Sequence, residues 1–93
     1  MKRAEILTRA AQIVSGEKNF MYGSPEDNFA QIAARWTHYI MGRYGVRIPL
    51  DGADVAAMMI DVKLARISTG RGREDNWVDI AGYAACGGEI DEN

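Results

Sequence analysis

The chain has 93 residues, 47% of them hydrophobic and 26% charged, and a formal net charge of −2. This length predicts one domain, residues 1–93, with no room for a second hydrophobic core. The small acidic excess argues against a general DNA- or RNA-binding protein, which would carry many more basic residues. A single cysteine, the absence of a signal-like N-terminus and the absence of a long apolar run predict a cytoplasmic protein without a membrane span.

Apolar spacing and helix-end signals predict the first two helices. The first runs from about Arg3 to Ser15, and Gly16 stops it. The second starts at Ser24, a capping residue followed by Pro25, and its apolar stripe reaches about Tyr44.

The third and fourth helices lie in the second half of the chain. Asp51 and Asp54 resemble a capping box before a helix from about Gly52 to Ser68, which is apolar almost all the way round. A helix of that kind belongs in the centre of a bundle or in an oligomer interface. The fourth helix runs from about Asp75 to Cys86, and residues 86–93 form a frayed acidic tail. The sequence therefore predicts an all-α fold, a small and oligomeric bundle of about four helices.

Charged residues inside the third helix are the first candidate site. Lys63 and Arg66 lie together on the helix, nearly opposite Asp61. Either the two cations extend to solvent and Asp61 pairs with a neighbouring helix, or Asp61 binds a metal while the cations bind a phosphate.

The fourth helix carries Asp75, Asp79 and Tyr83 on one face. Two aspartates four residues apart can share a divalent cation when a third carboxylate joins them, and Asp61 is the candidate third. Alternatively, Asp75 caps the helix and Asp79 forms a salt bridge with Arg66.

The connector from Thr69 to Arg73 resembles an anion-binding element. Its glycines turn backbone amides outward, Arg71 and Arg73 offer bidentate phosphate contacts, and a helix start follows. Tyr22, just before the second helix, either packs against that helix or stacks on a base.

Other aromatic and soft residues are assigned to packing. Trp36 and Trp77 are expected in the core, Cys86 is expected to pack rather than react, and His38 is expected to be exposed.

Two segments, Tyr22 to Phe29 (YGSPEDNF) and Asp75 to Ala85 (DNWVDIAGYAA), resemble a small family frequent in phages and prophages. This resemblance implies a protein that acts in an infected host cell. The helix containing Asp61, followed by Asp75 and Asp79, is also similar in layout to the MazG-type nucleotide pyrophosphohydrolases. That likeness implies an oligomeric bundle binding magnesium through acids on two adjacent helices, with Asp61 and Asp79 as ligands. The closely spaced glutamates of those enzymes are not matched by Glu26 and Asp27, which fall in the first turn of the second helix.

Three functions remain open at this point. The first is capture of a small nucleotide without catalysis or cofactor, as in sequestration of nucleotide immune signals. The second is magnesium-dependent nucleotide hydrolysis, and the third is a protein-binding adaptor. Binding is preferred because cations for phosphate outnumber carboxylates for metal. The expected ligand-binding residues are Tyr22, Lys63, Arg66, Arg71, Arg73, Asp79 and Tyr83.

Overall fold

A computed structural model describes residues 1–16, 23–70 and 74–92. These ranges contain four α-helices and no strand: α1 Arg3–Val14, α2 Pro25–Tyr44, α3 Gly52–Thr69 and α4 Glu74–Glu92. The predicted all-α architecture is confirmed. Helices α3 and α4 form an antiparallel hairpin with the most extensive contact, while α1 packs on α4 and α2 packs on α3. No helix in the described ranges is long and apolar enough to cross a membrane.

Side-chain caps fix the starts of α2 and α3 as the sequence predicts. The Asp27 backbone N–H donates to Ser24 Oγ at 3.2 Å. At the start of α3 the Asp54 N–H donates to Asp51 Oδ1 at 3.0 Å, and the Asp51 N–H donates to Asp54 Oδ2 at 2.9 Å. These bonds satisfy N–H groups that have no partner within the helix, so the chain turns into each helix at a defined residue.

The predicted end of the fourth helix at Cys86 is wrong, because α4 continues to Glu92. A Cβ placed on Gly87 would lie 2.7 Å from Ala56 Cβ, so this glycine lets α4 approach α3 closely instead of ending the helix. Beyond it, Ile90 packs against the core beside Gly52. The acidic terminal segment is therefore helical to Glu92, held by the apolar side chain within it.

The core lies where α2, α3 and α4 meet. Its buried members are Phe29, Ala33, Val55, Ala56 and Cys86.

Three predictions about the burial of ring-bearing side chains had different outcomes. Trp36 packs partly buried against the core, and His38 is exposed, as predicted. Trp77 is 51% exposed, so its assignment to the core is wrong. The reason is its position nine residues before Cys86, which places it on the opposite side of α4.

Candidate functional site

An ion pair joins the middle of α3 to α4. Lys63 Nζ lies 3.1 Å from Asp79 Oδ2, and the side chains are 10% and 35% exposed. The expectations that Lys63 extends to solvent and that Asp79 pairs with Arg66 are therefore corrected. Lys63 follows Ala56 by seven residues, so it lies on the side of α3 that faces α4. A buried ammonium group is costly unless it is paired, which gives Asp79 a structural role.

A cavity of about 310 Å³ opens on one side of this pair, between α1, the start of α2 and the α3–α4 hairpin. Both Lys63 and Asp79 line it, together with the amide-bearing Asn28. Its aromatic wall is formed by Phe29 and Tyr83, whose ring centroids are 5.9 Å apart. A concave apolar space with a few convergent polar groups is typical of small-molecule sites.

A second cavity of about 430 Å³ lies toward the end of α3. The residues around it carry a guanidinium, a hydroxyl, two carboxylates and an amide. Asp79 lines both cavities, so the Lys63–Asp79 pair stands at their junction. The residues around the second cavity are Arg66, Thr69, Gly70, Asp75, Asn76 and Asp79.

Two groups in the first cavity have shifted acidity. Burial is the main cause that raises the pKa of the Tyr83 phenol, with the Asp79 charge adding to it and Arg66 opposing it. Burial also raises the pKa of the Cys86 thiol, and the charges of Glu26 and Glu89 act in the same direction. Cys86 is a free, buried cysteine and keeps its proton at neutral pH, as its assignment to packing requires.

The structure brings together four of the residues that the sequence singled out for ligand binding. Lys63, Asp79 and Tyr83 line the first cavity, and exposed Arg66 lines the second.

The other three predicted ligand-binding residues, Tyr22, Arg71 and Arg73, lie outside the described residues. Gly23, next to Tyr22 in the chain, lines the first cavity, and Gly70, next to Arg71, lines the second.

The carboxylates do not form the arrangement that a metal site needs. Asp61 is exposed and lines neither cavity, because it lies nearly opposite Lys63 on α3. Among the described residues, no three His, Cys, Asp or Glu side chains are placed to hold a metal ion. Asp75 lies inside the first turn of α4, which begins at Glu74, so it does not cap the helix. The chain does contain one pair of glutamates three residues apart, Glu89 and Glu92, but the pair lies in the last turn of α4 and lines neither cavity.

Sequence reasoning missed Asn28 and Asn76 as cavity residues. Asn28 belongs to the Tyr22 to Phe29 segment that carries the resemblance to phage proteins, yet its amide drew no separate assignment. Asn76 is buried beside the second cavity and follows directly after Asp75. A buried amide early in a helix is a weak signal, since asparagine is also common near helix starts.

Residues 5–91 match the family described as a domain of unknown function, DUF6378. The chain belongs to this family. It is 36% identical over 81 residues to the Gene 55 protein of Mycobacterium phage D29, covering 87% of this chain and 50% of that protein. It is 39% identical over 79 residues to the Gene 55 protein of Mycobacterium phage L5, covering 85% and 47%. The chain thus spans about half the length of these relatives. No solved structure matches it.

The family match and the two phage relatives confirm the predicted membership of a family found in phages. The likeness to MazG-type enzymes stays an interpretation of the sequence.

Proposed function

We propose that this protein binds a nucleotide across the two cavities and holds it without cleaving it. The observation that carries the proposal is the buried Lys63 ammonium group at the junction of the cavities, 3.1 Å from its partner Asp79. A nucleotide has an apolar, stackable base and a charged phosphate, and the residues lining the two cavities offer a contact for each. The Phe29–Tyr83 wall suits the base, while Arg66 in the second cavity suits the phosphate.

The partial exposure of the ion pair supports replacement of Asp79 by an anionic ligand beside Lys63. Asp79 keeps 35% of its side chain exposed, so one side of the pair reaches solvent in the cavities. A phosphate oxygen beside Lys63 replaces part of the interaction with Asp79 and meets Arg66 at the same time. Two cations on one helix then share a ligand that carries more charge than a carboxylate.

The placement of carboxylates favours binding over hydrolysis. Two aspartates, Asp75 and Asp79, line the second cavity, but Asp79 is already engaged by Lys63. Asp61, the third carboxylate of the hydrolase hypothesis, lies elsewhere on α3. Within a phage family, capture without turnover suits sequestration of nucleotide signals made by bacterial immune systems, and we propose this as the biological role.

The experiment is a thermal-shift and calorimetric screen with nucleoside triphosphates, linear dinucleotides and cyclic oligonucleotides, with and without magnesium. We expect at least one of them to raise the unfolding temperature and to be recovered intact by chromatography. Arg66→Gln should weaken that binding by about tenfold or more, because a hydrogen bond to a charged group contributes roughly 1.5–3 kcal/mol. Its own unfolding temperature should change little, since Arg66 is exposed.

Arg35→Gln is the matched control. Arg35 is also an exposed helical arginine, but it lies on α2 and lines neither cavity. Equal loss of affinity in both variants would show that only general charge matters and would remove the cavities from the proposal. Formation of product that depends on magnesium would favour the hydrolase instead. No shift with any nucleotide would contradict nucleotide binding and favour the adaptor.

A further inference from the structure

Charge is unevenly distributed along the chain. Residues 28–50, which form most of α2 and the connector toward α3, contain three arginines, one histidine and no acidic residue. All 13 acidic residues and the other eight of the 11 basic residues lie in the rest of the chain. The net charge of −2 is therefore an average that includes a locally positive surface, formed by the exposed Arg35, Arg43 and Arg47.

The same surface exposes aromatic rings between its arginines. Tyr39 is 66% exposed and Tyr44 is 67% exposed, and the guanidinium carbon of Arg43 lies 5.3 Å from the centroid of the Tyr44 ring. Intervals of four residues place Arg35, Tyr39 and Arg43 on one stripe of α2. We call Arg35, Tyr39, Arg43, Tyr44 and Arg47 the α2 surface. Cations that alternate with exposed rings are typical of proteins that bind single-stranded nucleic acid.

A third cavity, of about 430 Å³, adjoins this surface between α2 and the connector. Its lining is mostly apolar, with Met41, Pro49 and Leu50 among its residues, and Arg47 also lines it. The Leu50 backbone N–H donates a hydrogen bond to Thr37 Oγ1 at 2.9 Å, which fastens the connector to α2 and holds the two walls together. An apolar cavity beside a guanidinium suits a base whose phosphate contacts the arginine.

We infer that the α2 surface binds single-stranded nucleic acid, with phosphates on Arg43 and Arg47 and bases stacked on Tyr39 and Tyr44. All the cations of this surface are arginines, whose planar guanidinium binds phosphate through two hydrogen bonds. The bases must be unpaired, because bases inside a duplex stack on each other and not on a protein ring. An acidic protein could meet the same charges, but it has no base faces for two exposed tyrosines to stack on.

This site is separate from the proposed nucleotide site. No residue of the α2 surface lines either of the two cavities beside Lys63 and Asp79. The acidic excess of the whole chain still argues against tight binding to any DNA or RNA. A few local cations predict binding that is weak and depends strongly on salt concentration.

Fluorescence anisotropy with a fluorescein-labelled single strand of about 16 nucleotides and mixed sequence tests the inference. We expect binding at about 50 mM salt, and affinity about twentyfold weaker at about 200 mM, because three phosphate contacts on a single strand give a logarithmic slope of roughly −2. A duplex of the same sequence should bind at least about tenfold more weakly than the strand, since its bases cannot reach the tyrosines.

Paired variants locate the strand on the protein. Arg43→Gln combined with Arg47→Gln should weaken strand binding by at least about tenfold. Arg3→Gln combined with Arg9→Gln is the matched control, because it removes the same charge from exposed positions of α1. The control should change the affinity by less than about twofold, since salt screens charges outside the site.

Stacking has its own test. Tyr39→Ala should weaken strand binding by about tenfold, whereas Tyr39→Phe keeps a ring and should bind as the parent does. Both variants should fold normally, because Tyr39 is exposed.

Four outcomes would each overturn the inference. They are no binding of the strand at about 50 mM salt, which would favour an acidic protein as the partner, equal affinity for strand and duplex, equal losses in the two double arginine variants, and full binding by Tyr39→Ala. Arg66→Gln separates this inference from the proposed function. Loss of strand binding in that variant would place the strand at the second cavity, whereas a strand that binds normally to it lies elsewhere.

Discussion

At the scale of single residues, the most consequential feature of the interior is the ion pair between Lys63 and Asp79. Lys63 is almost fully buried in a helix that is otherwise mostly apolar, and Asp79 is its observed partner. Such pairs often add little net stability, because desolvation offsets their attraction. Breaking one is different, since the remaining charge stays buried without compensation. The pair is therefore required for stability, and it also places the Lys63 ammonium group at the junction of the two cavities.

Replacing Asp79 with alanine should lower the free energy of unfolding by about 1–3 kcal/mol, because the Lys63 ammonium group loses its partner. Urea unfolding followed by circular dichroism measures this. Asp61→Ala is the control, an exposed aspartate on the same hairpin, expected to change stability by less than about 0.5 kcal/mol. Equal stability of the two variants would mean that Lys63 does not depend on Asp79.

Tyr83 gives a second prediction, in the alkaline range. Burial, helped by the Asp79 charge, raises its pKa, so the folded protein keeps the phenol proton after the unfolded chain has lost it. Its contribution to stability is fully present below the unfolded pKa of about 10 and is lost as pH rises through the folded pKa. Stability measured by urea unfolding should therefore fall less steeply above about pH 10 in Tyr83→Phe than in the parent. Curves of equal slope in the two proteins would contradict a buried Tyr83 phenol that retains its proton.

At the scale of helices, the close approach of α3 and α4 is what builds the site. Gly87 allows Ala56 to come near, and the same hairpin then brings Lys63 opposite Asp79 two turns away. Close packing at Gly87 and Ala56 thus determines which residues of α3 and α4 face each other near the cavities. Gly87 is needed because its missing side chain leaves room for α3, and not because it adopts a special backbone angle.

Gly87→Ala should destabilise the protein by about 1–3 kcal/mol, despite the higher helix propensity of alanine, because the new Cβ meets Ala56 at 2.7 Å. Thermal and urea unfolding measure the change. Gly42→Ala is the matched control, since a Cβ at Gly42 in α2 meets nothing within 4 Å. That substitution should stabilise by up to about 1 kcal/mol. Stabilisation by both changes would contradict the close-packing role of Gly87.

At the scale of the whole molecule, the chain is elongated and rich in exposed apolar side chains. Its extents are 45 × 32 × 24 Å, and Leu7, Tyr39 and Trp77 are more than half exposed. A small core with much apolar surface gives limited stability to a single copy. Self-association would place part of that surface in an interface.

The unfolding temperature should therefore rise with protein concentration, because self-association stabilises the folded state by mass action. Differential scanning calorimetry over a wide concentration range measures this. An unfolding temperature that is independent of concentration would contradict the predicted self-association.

Much of the fold could be predicted because its signals are local. Ser24 and the Asp51–Asp54 capping box define helix starts through bonds between residues three apart. The apolar character of α3 predicted the centre of a bundle or an oligomer interface; α3 packs against α2 and α4 but leaves Met58, Val62 and Leu64 exposed, and α4 is the helix that contacts the other three. Lys63, Arg66, Asp79 and Tyr83 could be chosen as candidates because charges and phenols within apolar helices require partners.

The amino-acid sequence by itself determined the all-α class, the helix starts and the membership of a phage protein family. Only the tertiary structure decided that Lys63 pairs with Asp79, that Asp61 stands apart, and that Trp77 faces outward. It also decided that Gly87 continues a helix that glycine would ordinarily weaken. Helix starts depend on neighbours along the chain, whereas these features depend on which faces of α3 and α4 meet, and that is set by packing between residues far apart in sequence.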